Sequence, residues 1–552
     1  MRKLAGLVLA LGLLPVAGLA QDMSGMSMPG MTHHHHHDDA PTVGEKLGRV
    51  SFPTSCAPKS RVEMERGVAL LHSFGYAKAQ MQFEAIERDD PTCAMAHWGI
   101  AMTQYQELWG QPETEALKLG AEEMGIARTF APQATPRERA YIDALSAFFD
   151  PAATTYRARA DAYAARMDAL HAAFPSDIEG AAFDALAILA DTPGGDASLV
   201  HEHRALAILE PLFAAHPDHP GLAHYIIHTC DTPALAREGL PAARAYAKIA
   251  PASPHALHMP AHIFARLGLW PDDIASNLAS VAASDRAKAA HEPGAAHQMH
   301  AKEFLIYAYL QVGEDARARD LTASMAGLGS QMQAMPGMDD MKDDGHFFDN
   351  ELRAIYALET HDWTRAAALK VAPGTSAYEG FDIEWAQGVA AGHLHDARLA
   401  AAALAAFDRE LDAVKSSPFA DSAAGMAVMR NEILGWQALA EDRPDDAVRL
   451  MRQAADAQDQ RGQNEVDIPA REMLGDVLLT LHRPDQALVE YHTALKLSPN
   501  RLNGLLGAAE AAGQSGHADE ARTLLTLAAK QTHGAKTSLR PYVREAVKGI
   551  EA

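Results

Sequence analysis

The 552-residue sequence is short of several things, and each shortage excludes a class of protein. Basic residues are scarce: 48 Lys and Arg against 72 Asp and Glu leave a formal net charge of −24. A nucleic-acid binder needs a basic footprint to meet phosphates, so that class is excluded. After residue 20 no apolar run is long enough to cross a bilayer. No stretch alternates with a period of two for long enough to build a sheet. Aromatics make up only 6%, while alanine is heavily used, a balance that favours helix. The motifs that advertise chemistry are also missing. There is no Gly-rich phosphate loop and no GxSxG elbow, and HYIIH at His224 lacks the glutamate of HExxH. No catalytic residue is assigned, and enzyme activity is left open.

Cysteine is scarce too. Cys56, Cys93 and Cys230 allow at most one internal disulfide. The compartment bears on whether it forms. Residues 1–20 read as a signal peptide, with Arg2 and Lys3 before the apolar run Leu4 to Leu14 and small residues at Gly18 and Ala20. Cleavage after Ala20 would leave Gln21 first. The product is expected to be soluble, and periplasmic or secreted.

What is present is a beat of 34 residues. Leu474, Gly475, Ala487, Tyr491, Ala494 and Pro499 are spaced as in a tetratricopeptide repeat. Ala521, Leu525 and Ala528 follow 34 residues later, while Gly435, Ala447, Met451 and Ala454 form the preceding copy. Near the N-terminus, Gly67, Ala79, Phe83 and Pro91 repeat the pattern. Small residues let paired helices approach closely, larger ones fill the groove, and proline ends the second helix. The expected fold is all-α: a tetratricopeptide-type solenoid, or superhelix, from Ser60 to the C-terminus. Its divisions are a flexible arm and N-terminal segment at 21–59, repeats at 60–325, a loop at 326–346 and repeats at 347–552. Cys56 and Cys93 each precede the first helix of successive repeats. A disulfide between them, or two separate thiols, are the alternatives, and an oxidising compartment favours the bond.

The segments LLHSFGYAKAQMQF, DPTCAMAHWGIAM, LWGQP, HYIIHTCD and HALHMPAHIFARLGLW resemble signatures of exported bacterial tetratricopeptide repeat proteins, a largely uncharacterised family. The resemblance implies fold and export more than activity.

Twelve of the 28 histidines fall between His201 and His300. His224 and His228 are four apart, as are His258 and His262, with His255 three before His258. Such spacings share a helix face. With His300 they are expected on first helices lining one concave groove, where they would hold a metal such as zinc, contact a ligand or only pack. Cys230 and Asp231 follow His228 and are further candidates. Trp98, Trp109, Trp270 and Trp363 read as packing residues.

Two segments are rich in methionine. Met23, Met26, Met28 and Met31 lead into His33, His34, His35, His36 and His37, then Asp38 and Asp39. Met332, Met335, Met338 and Met341 precede His346 in an expected exposed loop. Thioethers are soft ligands that favour Cu(I), and imidazoles hold Cu(II) or Zn(II). The first motif resembles those of exported copper-resistance proteins. The leading expectation is a metal-binding protein, with copper as the cofactor, that sequesters, buffers or delivers the ion. A scaffold holding a protein or peptide in its groove is the alternative, and a metal-dependent enzyme using the histidines is the third reading.

Overall fold

The computed structural model describes residues 45–548 except 109–111, 193–197, 291, 293–297, 331–341, 377–379 and 417–422. The expected signal peptide, the ligands from Met23 to His37, the methionines Met332, Met335, Met338 and Met341, and Trp109 lie outside the described residues.

Glycine opposite a large side chain sets the helix pairing. The Phe83 ring, on helix Tyr76–Asp89, lies between Gly67 of helix Arg61–His72 and Gly99 of helix Ala94–Tyr105. A Cβ added at Gly67 or Gly99 would stand 2.6 or 2.5 Å from that ring. At the other end of the chain, Tyr491 lies between Gly475 and Gly507 in the same way, and Met451 covers Gly435. Phe83 and Tyr491 therefore each pack on the glycines of their own and the next first helix. Repeated along the chain, this gives an all-α tetratricopeptide-type solenoid. Gly99→Ala is expected to cost about 1–3 kcal/mol, because the stacked neighbours cannot recede freely. Urea denaturation measures it.

The superhelix closes on itself twice. Helix Arg61–His72 meets helix Pro220–Thr229, where His72 Nδ1 lies 2.8 Å from the Tyr225 hydroxyl. The C-terminal repeats return to the middle of the chain. Trp270 Nε1 donates to Asn500 O at 2.8 Å, and Ser538 Oγ to Asp315 Oδ2 at 2.7 Å. Buried Arg501 is held by Glu359 and Glu472, at 2.8 and 2.7 Å. Two large hydrophobic cores result, and helix Pro260–Arg266 contributes to both.

The segment 45–57 forms no helix. It lies as a strap across the starts of successive first helices. Ala57 N donates to Asp90 Oδ2, Ser55 N to Glu138 Oε1 and Ser51 N to Glu179 Oε1. Arg49 N then donates to Asp218 O, and Ala252 N to Lys46 O. Phe52, fully buried, stacks on Trp98 and meets Tyr141 edge-on. Cys56 and Cys93 are joined by a disulfide with Cα atoms 4.9 Å apart, which pins one end of the strap. Because the bond closes a separation of 37 residues, replacing both cysteines by serine is expected to cost about 3–4 kcal/mol. The thermal midpoint with and without reductant checks this.

One expected loop position is corrected. His346 is not exposed. It lies within helix Lys342–Glu359 and is buried, with Nε2 3.0 Å from where a Cβ at Gly374 would stand. Phe347 and Phe348 follow it into the core and carry the first turn inward.

Candidate metal centre

The cluster of histidines forms two groups of three rather than one groove of six. His224, His228 and His255 make the first; His258, His262 and His300 make the second. In each, the three ligating nitrogens lie within 4.8 Å of one another. His255 thus belongs with His224 and His228, and not with His258, three residues on. All six residues are at least nine-tenths buried.

Local sequence explains the placement. Pro220 opens helix Pro220–Thr229, and the four-residue spacing puts His224 and His228 on one face. Pro260 has no N–H to give and divides Pro254–His258 from Pro260–Arg266. His258 and His262 stand either side of that break, with Nε2 atoms 3.0 Å apart. His300 comes from helix Gln298–Gln311, whose Phe304 contacts all three rings of the second group. Phe74 does the same for the first.

The atoms behind each ring fix its proton. His224 Nδ1 is 2.6 Å from the His72 carbonyl oxygen, which only accepts. Nδ1 therefore carries the hydrogen, and Nε2 presents a lone pair. His228 Nε2 and His255 Nε2 both lie 3.0 Å from that lone pair. One in-plane lone pair cannot satisfy two N–H donors.

The second group is backed more completely. His258 Nδ1 donates to Asn277 Oδ1 at 2.6 Å. The Asn277 amide is oriented by its own donation to Asp273 Oδ1 and O. His262 Nδ1 faces Asp231 Oδ2 at 3.0 Å and Glu465 Oε1 at 2.8 Å. His300 Nδ1 donates to Glu303 Oε2 at 2.6 Å. Each imidazole thus has its Nδ1 hydrogen directed at an oxygen and its Nε2 directed at the centre. His300 Nε2 is buried with no hydrogen-bond partner. Oxygen acceptors behind ligating histidines are the arrangement that orients metal ligands and raises their basicity.

Electrostatics separate the two groups. Burial lowers His262, but Asp231 and Glu465 outweigh it and raise the imidazole to about 10. Burial, then His262, lowers His228 to about 3. The two groups are therefore close enough to influence each other. Asp231 stays well below the usual carboxylate range because Arg266, Glu465 and His262 outweigh its burial. Arg266 Nε donates to Asp231 Oδ1 at 3.0 Å.

Three other convergent groups occur among the described residues, and each is already satisfied. Cys56 and Cys93 are consumed by their disulfide. Asp231 and Glu465 stand behind His262 and share Arg266. Glu179 accepts from His72 Nε2 at 2.6 Å and from His219 Nε2 at 3.1 Å. His219 Nδ1 caps its helix by accepting from Leu222 N, so Nε2 holds the proton and is no ligand. Cys230 is buried, and burial pushes its thiol up, away from the thiolate a metal needs. His97 pairs with Glu123 at 2.7 Å.

Asn277 and Glu465 carry no signal of their own in the sequence. Glu303 alone had one available, its three-residue spacing from His300.

No family model matches the chain, and no curated protein matches it. Solved structures do. The P58(IPK) TPR domain is 16% identical, covering 68% of this chain and 97% of that one, with a TM-score of 0.21. The APC/C hetero-tetramer Cut9–Hcn1 gives 14% identity, 89% coverage of each chain and a TM-score of 0.33. The human IFIT1 dimer with m7Gppp-AAAA gives 11%, 82% of this chain, 90% of that chain and 0.27. These values say nothing of what this chain binds.

Proposed function

We propose that this chain is an exported copper-binding protein whose solenoid holds two ions, one in each group of three histidines. The observation that carries the reading is the second group. His258, His262 and His300 direct Nε2 to one point while Asn277, Asp231, Glu465 and Glu303 hold the Nδ1 side. A tetrahedral ion with metal–nitrogen bonds of about 2.0–2.1 Å spaces its ligands by about 3.3 Å. The 3.0 Å contact between His258 and His262 need open by only a few tenths of an ångström. Imidazole alone suits zinc as well as copper. The methionines at 23–31 and 332–341 favour copper, because thioether does little for zinc.

The strap supports a division of labour. Lys46 bonds Ala252, three residues before His255, and only residues 40–44 separate Asp39 from the described chain. The Met/His-rich arm therefore joins the solenoid beside the first histidine group. In this reading the arm collects copper and the buried histidines retain it.

Titration of protein beginning at Gln21, purified without a nickel column, against a competing Cu(I) chelator tests the proposal. Several equivalents are expected. Deleting 23–39 and replacing Met332, Met335, Met338 and Met341 should leave two. An affinity and stoichiometry untouched by those changes would remove the methionines from the account, and no binding in the deleted protein would remove the histidines.

The convergence of the histidines also favours a second reading, a metal-dependent enzyme. Three protein ligands leave a fourth position for water or substrate. Turnover of a substrate by the copper-loaded protein would favour it over storage.

A further inference from the structure

A small cleft with a cavity volume of about 50 Å³, partly open to solvent, lies against the second histidine group. Five carboxylates line it: Glu303, Glu351, Asp382, Glu432 and Asp467. Phe347, Phe381, Trp385 and Met429 form its apolar wall, and among the described residues no lysine or arginine lines it. Glu303 connects it to the histidines, since the same carboxylate holds His300 Nδ1. Residues 462–469 connect them again. Glu465 contacts His262, while Val466 and Asp467 face the cavity.

Three of the carboxylates have donors. Trp385 Nε1 donates to Glu432 Oε2 at 2.6 Å. Gln458 Nε2 and Ile468 N donate to Asp467, and His300 to Glu303. Asp382 does not share in this. It is 6% exposed, opens helix Phe381–His393, and its Oδ2 is buried with no hydrogen-bond partner. Glu351 Oε2 is also without one. A buried carboxylate facing other carboxylates across an open space has an unmet need for positive charge. Burial first, and neighbouring carboxylates second, push Asp382 and Glu351 well above their usual range, as that need implies.

A metal ion does not fit. Among the described residues, the convergent ligand groups include none made from these carboxylates. Its aromatic wall would also offer a hydrated ion nothing. Aromatic faces and carboxylates together suit a cation carried on an apolar body.

We propose that this cavity binds an organic ammonium ion, a protonated amine on a compact apolar frame, with Asp382 as its principal counter-charge. The site stands independently of copper. A free amine and a lysine side chain share this chemistry, and the free amine is favoured because the aromatic wall suits a ring better than a flexible stem.

Isothermal titration of the full chain with 2-phenylethylamine, 2-phenylethanol and an Nα-acetyl-lysine amide tests the proposal. The amine is expected to bind at least tenfold more tightly than the alcohol. Asp382→Asn should abolish that preference, and His258→Ala should leave it intact. Met429→Trp, which enlarges a wall residue and changes no carboxylate, should weaken all three probes. Tighter binding of the lysine amide than of the amine would keep the site and assign it to a protein side chain. Equal affinity for amine and alcohol would overturn the proposal, as would an amine affinity unchanged in Asp382→Asn and in Met429→Trp.

Discussion

Replacing His224 by alanine is expected to lower the copper held by the solenoid from two equivalents to one. His224→Ala combined with His258→Ala should leave none. The effect is large because each site has three ligands, and its remaining pair cannot enclose an ion in a buried, low-dielectric setting. The sites should fail separately, because no histidine is common to both. The groups behind the ligands supply a finer test. Asn277 touches only the second group, through His258 Nδ1. Asn277→Ala is expected to weaken that site about 10- to 100-fold, the usual cost of an orienting partner, and to leave the first unchanged. Glu303→Gln should do the same through His300. Copper counted after dialysis against a chelator of fixed affinity reads all of these. Loss of both equivalents in His224→Ala would mean one shared site.

Glu179→Ala is the substitution expected to damage the fold most, by about 3–5 kcal/mol, because it strands buried donors that have no other acceptor. Glu179 is 1% exposed and receives His72, His219 and the strap's Ser51 N. It therefore ties three separate parts of the chain. Its loss should also loosen the first histidine group, whose His224 leans on the His72 carbonyl. The same contacts set a pH dependence. Burial raises the Glu179 carboxyl, but His219 and His72 outweigh it and hold the group far below its ordinary 4.5. A carboxylate with a depressed folded pKa stabilises above its unfolded value, and that contribution fades as pH falls below about 4.5. Burial also lowers His72 from 6.5, even against the pull of Glu179. The unfolded chain then takes up this proton first, so stability falls as pH drops below about 6.5. His361 and His393, each lowered to about 3 by burial and by neighbouring charged groups, act in the same sense. The difference in thermal midpoint between the metal-free parent and Glu179→Ala should therefore shrink as pH falls below about 4.5. A difference independent of pH would contradict it.

The repeat architecture was legible because it depends on local spacing. Gly67, Phe83 and Gly99, or Gly475 and Tyr491, repeat at fixed intervals that packing demands. The histidine pairs were legible for the same reason, since His224 with His228 and His258 with His262 lie one helical turn apart. Their grouping was not. It depends on the superhelix bringing helix Arg61–His72 against Pro220–Thr229, and on which of two adjacent centres His255 faces. Glu465 stands behind His262 from 203 positions away, a relation no helical period contains. His346 misled because the Met-rich segment before it suggests an exposed loop, whereas His346, Phe347 and Phe348 are buried. The strap was invisible because segment 45–57 has neither helical period nor repeat; only Cys56 marked it.

The central claim is that two ions lie among these six histidines. The most direct measurement is anomalous diffraction from crystals of copper-loaded protein, collected on both sides of the copper edge. Two peaks are predicted. One should lie about 2.0–2.1 Å from Nε2 of each of His224, His228 and His255, the other equally placed among His258, His262 and His300. Rings still in direct contact at 3.0 Å, with no peak between them, would contradict the account.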